Sequence, residues 1–194
     1  MLEEPSSFAR VNSEISRQIY KLFCSKCVIN KRIYRESSAS FAENNLYNEL
    51  IENLTHYELL YLHIGYKLTH DSQGEYFYIK ALGEIDEIDD NFDESSLKIM
   101  AILSLFAKIA TQRQQSLATL GDPIQGIANA DLELIDNHED MINIIQALKL
   151  KNASEALELL KKNGFAFKVL SNRHVLSKGA MVMIDTLIEH FKSN

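Results

Sequence analysis

Cys24 and Cys27 stand three residues apart, a spacing used by both zinc sites and dithiol redox centres. Neither chemistry is completed here. A structural zinc needs four ligands, and no second Cys or His pair is spaced to supply the other two. A redox pair needs a βαβ setting, whereas this pair follows an amphipathic stretch, so plain, partly packed thiols are expected. The six histidines (His56, His63, His70, His138, His174 and His190) lack the i,i+4 pairing of a helical metal site. His70-Asp71 could touch a metal, but the run His70-Asp71-Ser72-Gln73-Gly74 reads as a polar turn. Residues 84–94 carry seven acids and no base. Their spacing is irregular and lacks the D-x-[DN]-x-[DN]-G order of a calcium loop, which leaves a solvated linker or a strip for a basic partner. The sequence contains no G-x-x-x-x-G-K-[ST] or G-x-G-x-x-G loop, no H-E-x-x-H helix and no G-x-S-x-G elbow. The reading is therefore a chain with no enzymatic activity, no cofactor and no metal, in which any ATP hydrolysis belongs to a partner.

The charge pattern points to surfaces instead. The 194 residues carry a net charge of −7, yet the charge is segregated. Between positions 17 and 35 lie six bases (Arg17, Lys21, Lys26, Lys31, Arg32, Arg35) and no acid, and from Lys149 onward eight bases face four acids. Such blocks create local fields whatever the total. Hydrophobic residues make up 46% of the chain, enough for one large or two small cores. The opening Met1-Leu2-Glu3-Glu4-Pro5 is acidic and unlike a signal peptide. The longest apolar stretch, 97–110, is broken by Lys98 and Lys108 and is too short to span a bilayer. A cytoplasmic, nucleoid-associated protein without a membrane segment is expected.

The elements that must hold these surfaces follow from periodicity. Phe8, Val11, Ile15, Ile19, Leu22 and Phe23 predict an amphipathic helix over about 8–24. Val28-Ile29 and Ile33-Tyr34 are short and β-prone. Ser40 with Glu43 reads as a capping box opening a helix to about Tyr61. Runs 62–68 and 75–82 around the polar turn predict a hairpin. The acidic segment 84–94 then divides the chain into units 1–92 and 93–194. Residues 95–112 are apolar on nearly every side, which predicts a buried helix. After a weakly patterned stretch, 111–136, with a short helix near 129–135, a helix over 138–149 follows. Asn152 caps the next one and Gly164 ends it. Residues 165–170 and Val175-Leu176 predict a second hairpin, and 178–192 a closing helix. The fold class is mainly α with small β-hairpins, and helices followed by a hairpin in each half suggest tandem winged-helix units.

The order of these parts resembles the MukE/MksE family of bacterial condensin subunits. The run Glu75-Tyr76-Phe77-Tyr78-Ile79-Lys80 before the apolar helix is similar to the family's aromatic strand, and Ala156 to Ser177 (ALELLKKNGFAFKVLSNRHVLS) to its second recognition helix and wing. The likeness covers roughly 28–110 and 152–190; the stretch between matches nothing placed. MukE proper is associated with a long acidic tail that the sequence to Asn194 does not show, so the MksE branch or the MukE-like subunit of Wadjet plasmid defence fits better.

That resemblance implies a non-catalytic subunit that forms a homodimer, binds a MukF/MksF-like kleisin and sits beside a MukB/MksB-like SMC ATPase engaging DNA. A free-standing winged-helix transcription regulator is the alternative; Glu155 and Glu158 on the 152–163 helix speak against deep groove readout. Winged helices commonly set the recognition-helix end and wing tip against the duplex, making Lys161, Lys162, Lys168, Arg173 and Lys178 candidate DNA contacts, with Lys31, Arg32 and Arg35 as a second cluster. Phe8, Ile15 and Ile19 on the first helix, and Ile184, Leu187 and Phe191 on the closing one, are candidate partner-facing residues.

Overall fold

The computed structural model describes residues 7–83, 94–170 and 172–193. The boundary expected within 84–94 thus falls almost wholly outside the described residues. After a single 3-10 turn, Ser7–Ala9, the first helix α1 runs Ser13–Cys24. It starts later than the periodicity suggests because Asn12 caps it, its side chain accepting from the amides of Glu14 at 3.0 Å and Ile15 at 3.2 Å. Strands β1 (Ile29–Asn30) and β2 (Arg32–Arg35) follow.

The capping box expected at Ser40 does not form. Ala39 turns the chain with φ +48°, and Ser40–Glu43 becomes strand β3, antiparallel to β2 with Tyr34 opposite Phe41. Asn44 takes over as cap, accepting from Leu46 at 3.1 Å. The expected single helix is two: α2 (Asn45–Glu52) and α3 (Leu54–His63), broken at Asn53, whose ψ of +33° is not helical.

Strands β4 (Tyr66–Asp71) and β5 (Tyr76–Ala81) make the expected hairpin. His70 and Asp71 end β4 rather than form the turn. His70 stacks on Phe77 at 4.4 Å and meets the Tyr47 hydroxyl at 2.8 Å. Asp71 accepts from the Gly74 amide at 2.8 Å.

The second half opens with α4 (Glu94–Gln112). Ile102, Leu103, Leu105, Phe106 and Ile109 on it are all buried, as a helix apolar on most sides requires. A 3-10 turn (Leu117–Gly121), strand β6 (Ile127–Ala128), and helices α5 (Asn129–Asp136), α6 (Glu139–Ala147) and α7 (Ala153–Lys162) follow. Strands β7 (Ala166–Leu170) and β8 (Arg173–Leu176) and helix α8 (Lys178–Ser193) close the chain. Each half carries a three-stranded antiparallel sheet of the same order, β1-β5-β4 and β6-β8-β7, with the strand after the first helix paired to the last of the hairpin.

Two buried clusters result, and β1 and β5 form the wall between them. Side chains alternate across a strand. Phe77 and Ile79 of β5 therefore enter the N-terminal cluster with Ile19, Leu50 and Tyr57, while Tyr76 and Tyr78 enter the C-terminal cluster with Phe106, Leu160 and Ile184. Val28 and Ile29 divide in the same way. The halves are also stitched through main chain: Val28 donates to the Asn163 carbonyl at 3.0 Å and the Asn30 side chain to that of Gly164 at 2.7 Å. Gly164 has φ +84°, and a Cβ there would lie 2.9 Å from the Val28 carbonyl oxygen, so only glycine fits.

Candidate functional site

Cys24 is exposed, Cys27 is half-buried, and both are free thiols. Burial pushes the Cys27 thiol above its usual pKa, the direction that quenches reactivity. No group of three or more metal-ligating side chains comes together among the described residues.

The cations are the better candidates, and the structure sorts them. Lys31 and Lys178 share one carboxylate, Glu75, at 3.0 and 3.2 Å. Hydrogen bonding to Lys31, and then to Lys178, holds the Glu75 carboxyl below the usual range and Lys31 is raised in turn. The triad lies where β5 meets the start of α8. Nearby, a Cβ on Gly179 would come within 2.6 Å of the Tyr76 ring. These two lysines serve the junction of the halves. Lys161 is paired with Glu158 at 2.6 Å. Arg173 is half-buried, and its Nε is buried with no hydrogen-bond partner among the described residues. Arg32, Arg35, Lys162 and Lys168 are exposed and make no ion pair among the described residues.

The apolar candidates need correction. Ile19 and Ile184 are 0% and 1% exposed and belong to the N-terminal and C-terminal cores, so these two side chains are covered by the chain itself. Ile15 and Leu187 are half-buried, and Ile15 packs on the N-terminal core. Leu187 lines a shallow open groove between α4 and α8 with Ala107, Lys108 and Thr111. Phe8 is exposed although its ring edge meets His56 at 4.7 Å. The side chain of Phe191 lies outside the described residues.

Sequence reasoning passed over other exposed apolar side chains. Leu59 and Leu62 of α3, with Ile64, Tyr66 and Leu82 beyond it, are exposed, as is Tyr20 of α1. Gly65 links these residues, its amide bonded to Leu62 and its carbonyl to Leu82. The signal was present in the sequence: the leucines and tyrosines of α3 are spread around the helix rather than gathered in one stripe, so burying Tyr57 and Tyr61 leaves Leu59 and Leu62 facing water.

The fold defines a small, mainly helical protein with antiparallel hairpins. The family model described as condensin complex protein MksE matches residues 14–188, and the chain belongs to that family. It is a condensin-like accessory subunit, of a family that is generally non-catalytic. No curated protein matches it. No helix among the described residues is long and apolar enough to cross a membrane.

Proposed function

We propose that this chain is the kleisin-binding subunit of an SMC-type complex, forming a homodimer that links the kleisin to the SMC-like ATPase and helps the assembly hold DNA for chromosome organisation or plasmid defence. The observation that carries this is the family match, which runs through both halves of the chain rather than one. Two winged-helix units, 1–92 and 93–194, are the architecture that goes with it. Supporting this are the shared sheet order and the helix–strand–helices–hairpin sequence of each half. The assembly would work in the cytoplasm, at the nucleoid.

The units would differ in task. The helix before the first hairpin, α3, contains no Lys or Arg and exposes Leu59 and Leu62, which suits a protein partner better than a phosphate backbone. The helix before the second, α7, ends in Lys161 and Lys162, which suits DNA. Glu155 and Glu158 on the same helix oppose a free-standing regulator that reads bases deep in the groove. Acidic overall, the free subunit would bind DNA weakly, its partners supplying most of the affinity. Light scattering on the purified protein, alone and with the central region of the kleisin, tests the reading. A dimer that forms a stable complex with that region is expected; a clean monomer that ignores it overturns the proposal.

A further inference from the structure

Two glycines face one aromatic ring where the halves meet. Gly74, in the turn of the β4–β5 hairpin, and Gly179, in the first turn of α8, are both buried. Neither takes the left-handed backbone of Gly65, Gly126 and Gly164, so conformational freedom is not what they supply. A Cβ on Gly179 would lie 2.6 Å from the Tyr76 ring. One on Gly74 would lie 2.5 Å from the same ring and 3.0 Å from the Gly179 Cα. Carbon atoms pack at roughly 3.5 Å or more, so both sites have room for glycine alone. The Tyr76 ring is itself buried and meets Phe165 edge-on at 5.8 Å, and a close-packed interior gives it little space to swing aside. Alanine is the better helix former, so Gly179 stands in α8 against local preference, and the ring is the reason.

We propose that Tyr76 is a key held between Gly74 and Gly179, and that it locks the two halves into one body that does not hinge. Two joined units move relative to each other by default unless a large apolar interface prevents it. Here three kinds of contact oppose motion at one joint. The Tyr76 ring, carried by the first half, sits in the C-terminal core. Glu75 beside it takes Lys178, the neighbour of Gly179 in α8, at 3.2 Å. The main chain is tied from Val28 to Asn163 at 3.0 Å, and the Asn30 side chain to Gly164 at 2.7 Å. Lys178 is exposed, so its ion pair is the weakest of the three. The buried ring is the steric part of the joint, and it fixes the angle between the halves. A partner engaged by one half therefore leaves the other where it stands, and conformational change in an assembly arises between subunits. This inference does not depend on which partner binds.

The test measures the distance between the halves in the full chain. Nitroxide labels are placed on Gln18→Cys in α1 and Asp140→Cys in α6, both exposed positions, with Cys24→Ser and Cys27→Ser removing the native thiols. Double electron–electron resonance is expected to give one narrow distance distribution, the same for the chain alone and for the chain with the central region of the kleisin. Gly179→Ala should broaden it. Adding Tyr76→Leu to Gly179→Ala should narrow it again, because leucine lacks the ring atoms that the new methyl would meet. Gly83→Ala, where a Cβ meets nothing within 4 Å, should change nothing. Rescue through Tyr76 separates the key from a mere loss of helix stability. Should Gly179→Ala fail to fold, folding restored in the double variant supports the contact, and folding not restored overturns it. A broad or two-peaked distribution in the unsubstituted chain, or a distance displaced by the kleisin fragment, overturns the single body. A distribution left narrow by Gly179→Ala overturns the key.

Discussion

Glu75 and His174 show how single titratable groups tie this fold to pH. Glu75 sits at φ +55° on the hairpin tip and accepts from two lysines brought from distant parts of the chain. Its pKa is lowered, so the folded state binds the proton less readily than the unfolded one. His174, on β8 opposite Lys168, is also lowered, first by burial and then by Lys161. In both cases the folded pKa lies below the unfolded one, so the stability is present at neutral pH and lost as acid is added. The ordinary values, about 6.5 for His and about 4.3 for Glu, separate the two losses. Denaturation midpoints measured across this range are expected to fall first below about pH 6.5 and again below about pH 4.3. His174→Gln should remove the first step and Glu75→Gln the second. A first step that persists in the His174 variant would assign it to another group.

At the scale of elements, the β2–β3 hairpin is where local and tertiary preferences collide. Ser40 and Glu43 have the right types and spacing for a capping box, and an isolated peptide has no reason to refuse it. What wins is packing: Phe41 finds Tyr34 across the strand pair and Phe167 on β7, contacts that no local pattern announces. The hairpins β4–β5 and β7–β8, α4, and the Asn152 cap accepting from Glu155 at 2.9 Å were legible because their signals are local. Ile19 and Ile184 were only half legible, since an amphipathic stripe says that a face is covered and not by what. Phe41→Ala is expected to cost about 1–2 kcal/mol, less than a fully buried Phe because the ring is half-exposed. Amide exchange in β2 and β3 should quicken while α1 and α2 keep their protection. Unchanged exchange in the hairpin would mean that something other than Phe41 holds it down.

Across the whole molecule, β5 is a shared wall, one face packing into either core, and Val28 and Ile29 at the start of β1 divide between the cores in the same way. The aromatic run from Tyr76 to Tyr78 is explained by this placement, since a strand buried on both faces shows no polar alternation. That geometry fixes the half that exposes Leu59 and Leu62 against the half that carries Lys162 and Lys168, through the two-sided strand β5 and the Glu75 triad. Sequence order pointed to the family; which faces remain open depends on the packing between the two cores, which only the fold supplies. The most direct test of the central claim is affinity purification of the tagged chain from its host, with mass spectrometry of the proteins that accompany it. A kleisin and an SMC-type ATPase should be enriched together. Recovery of the chain without either, under conditions that keep such complexes intact, would contradict the account.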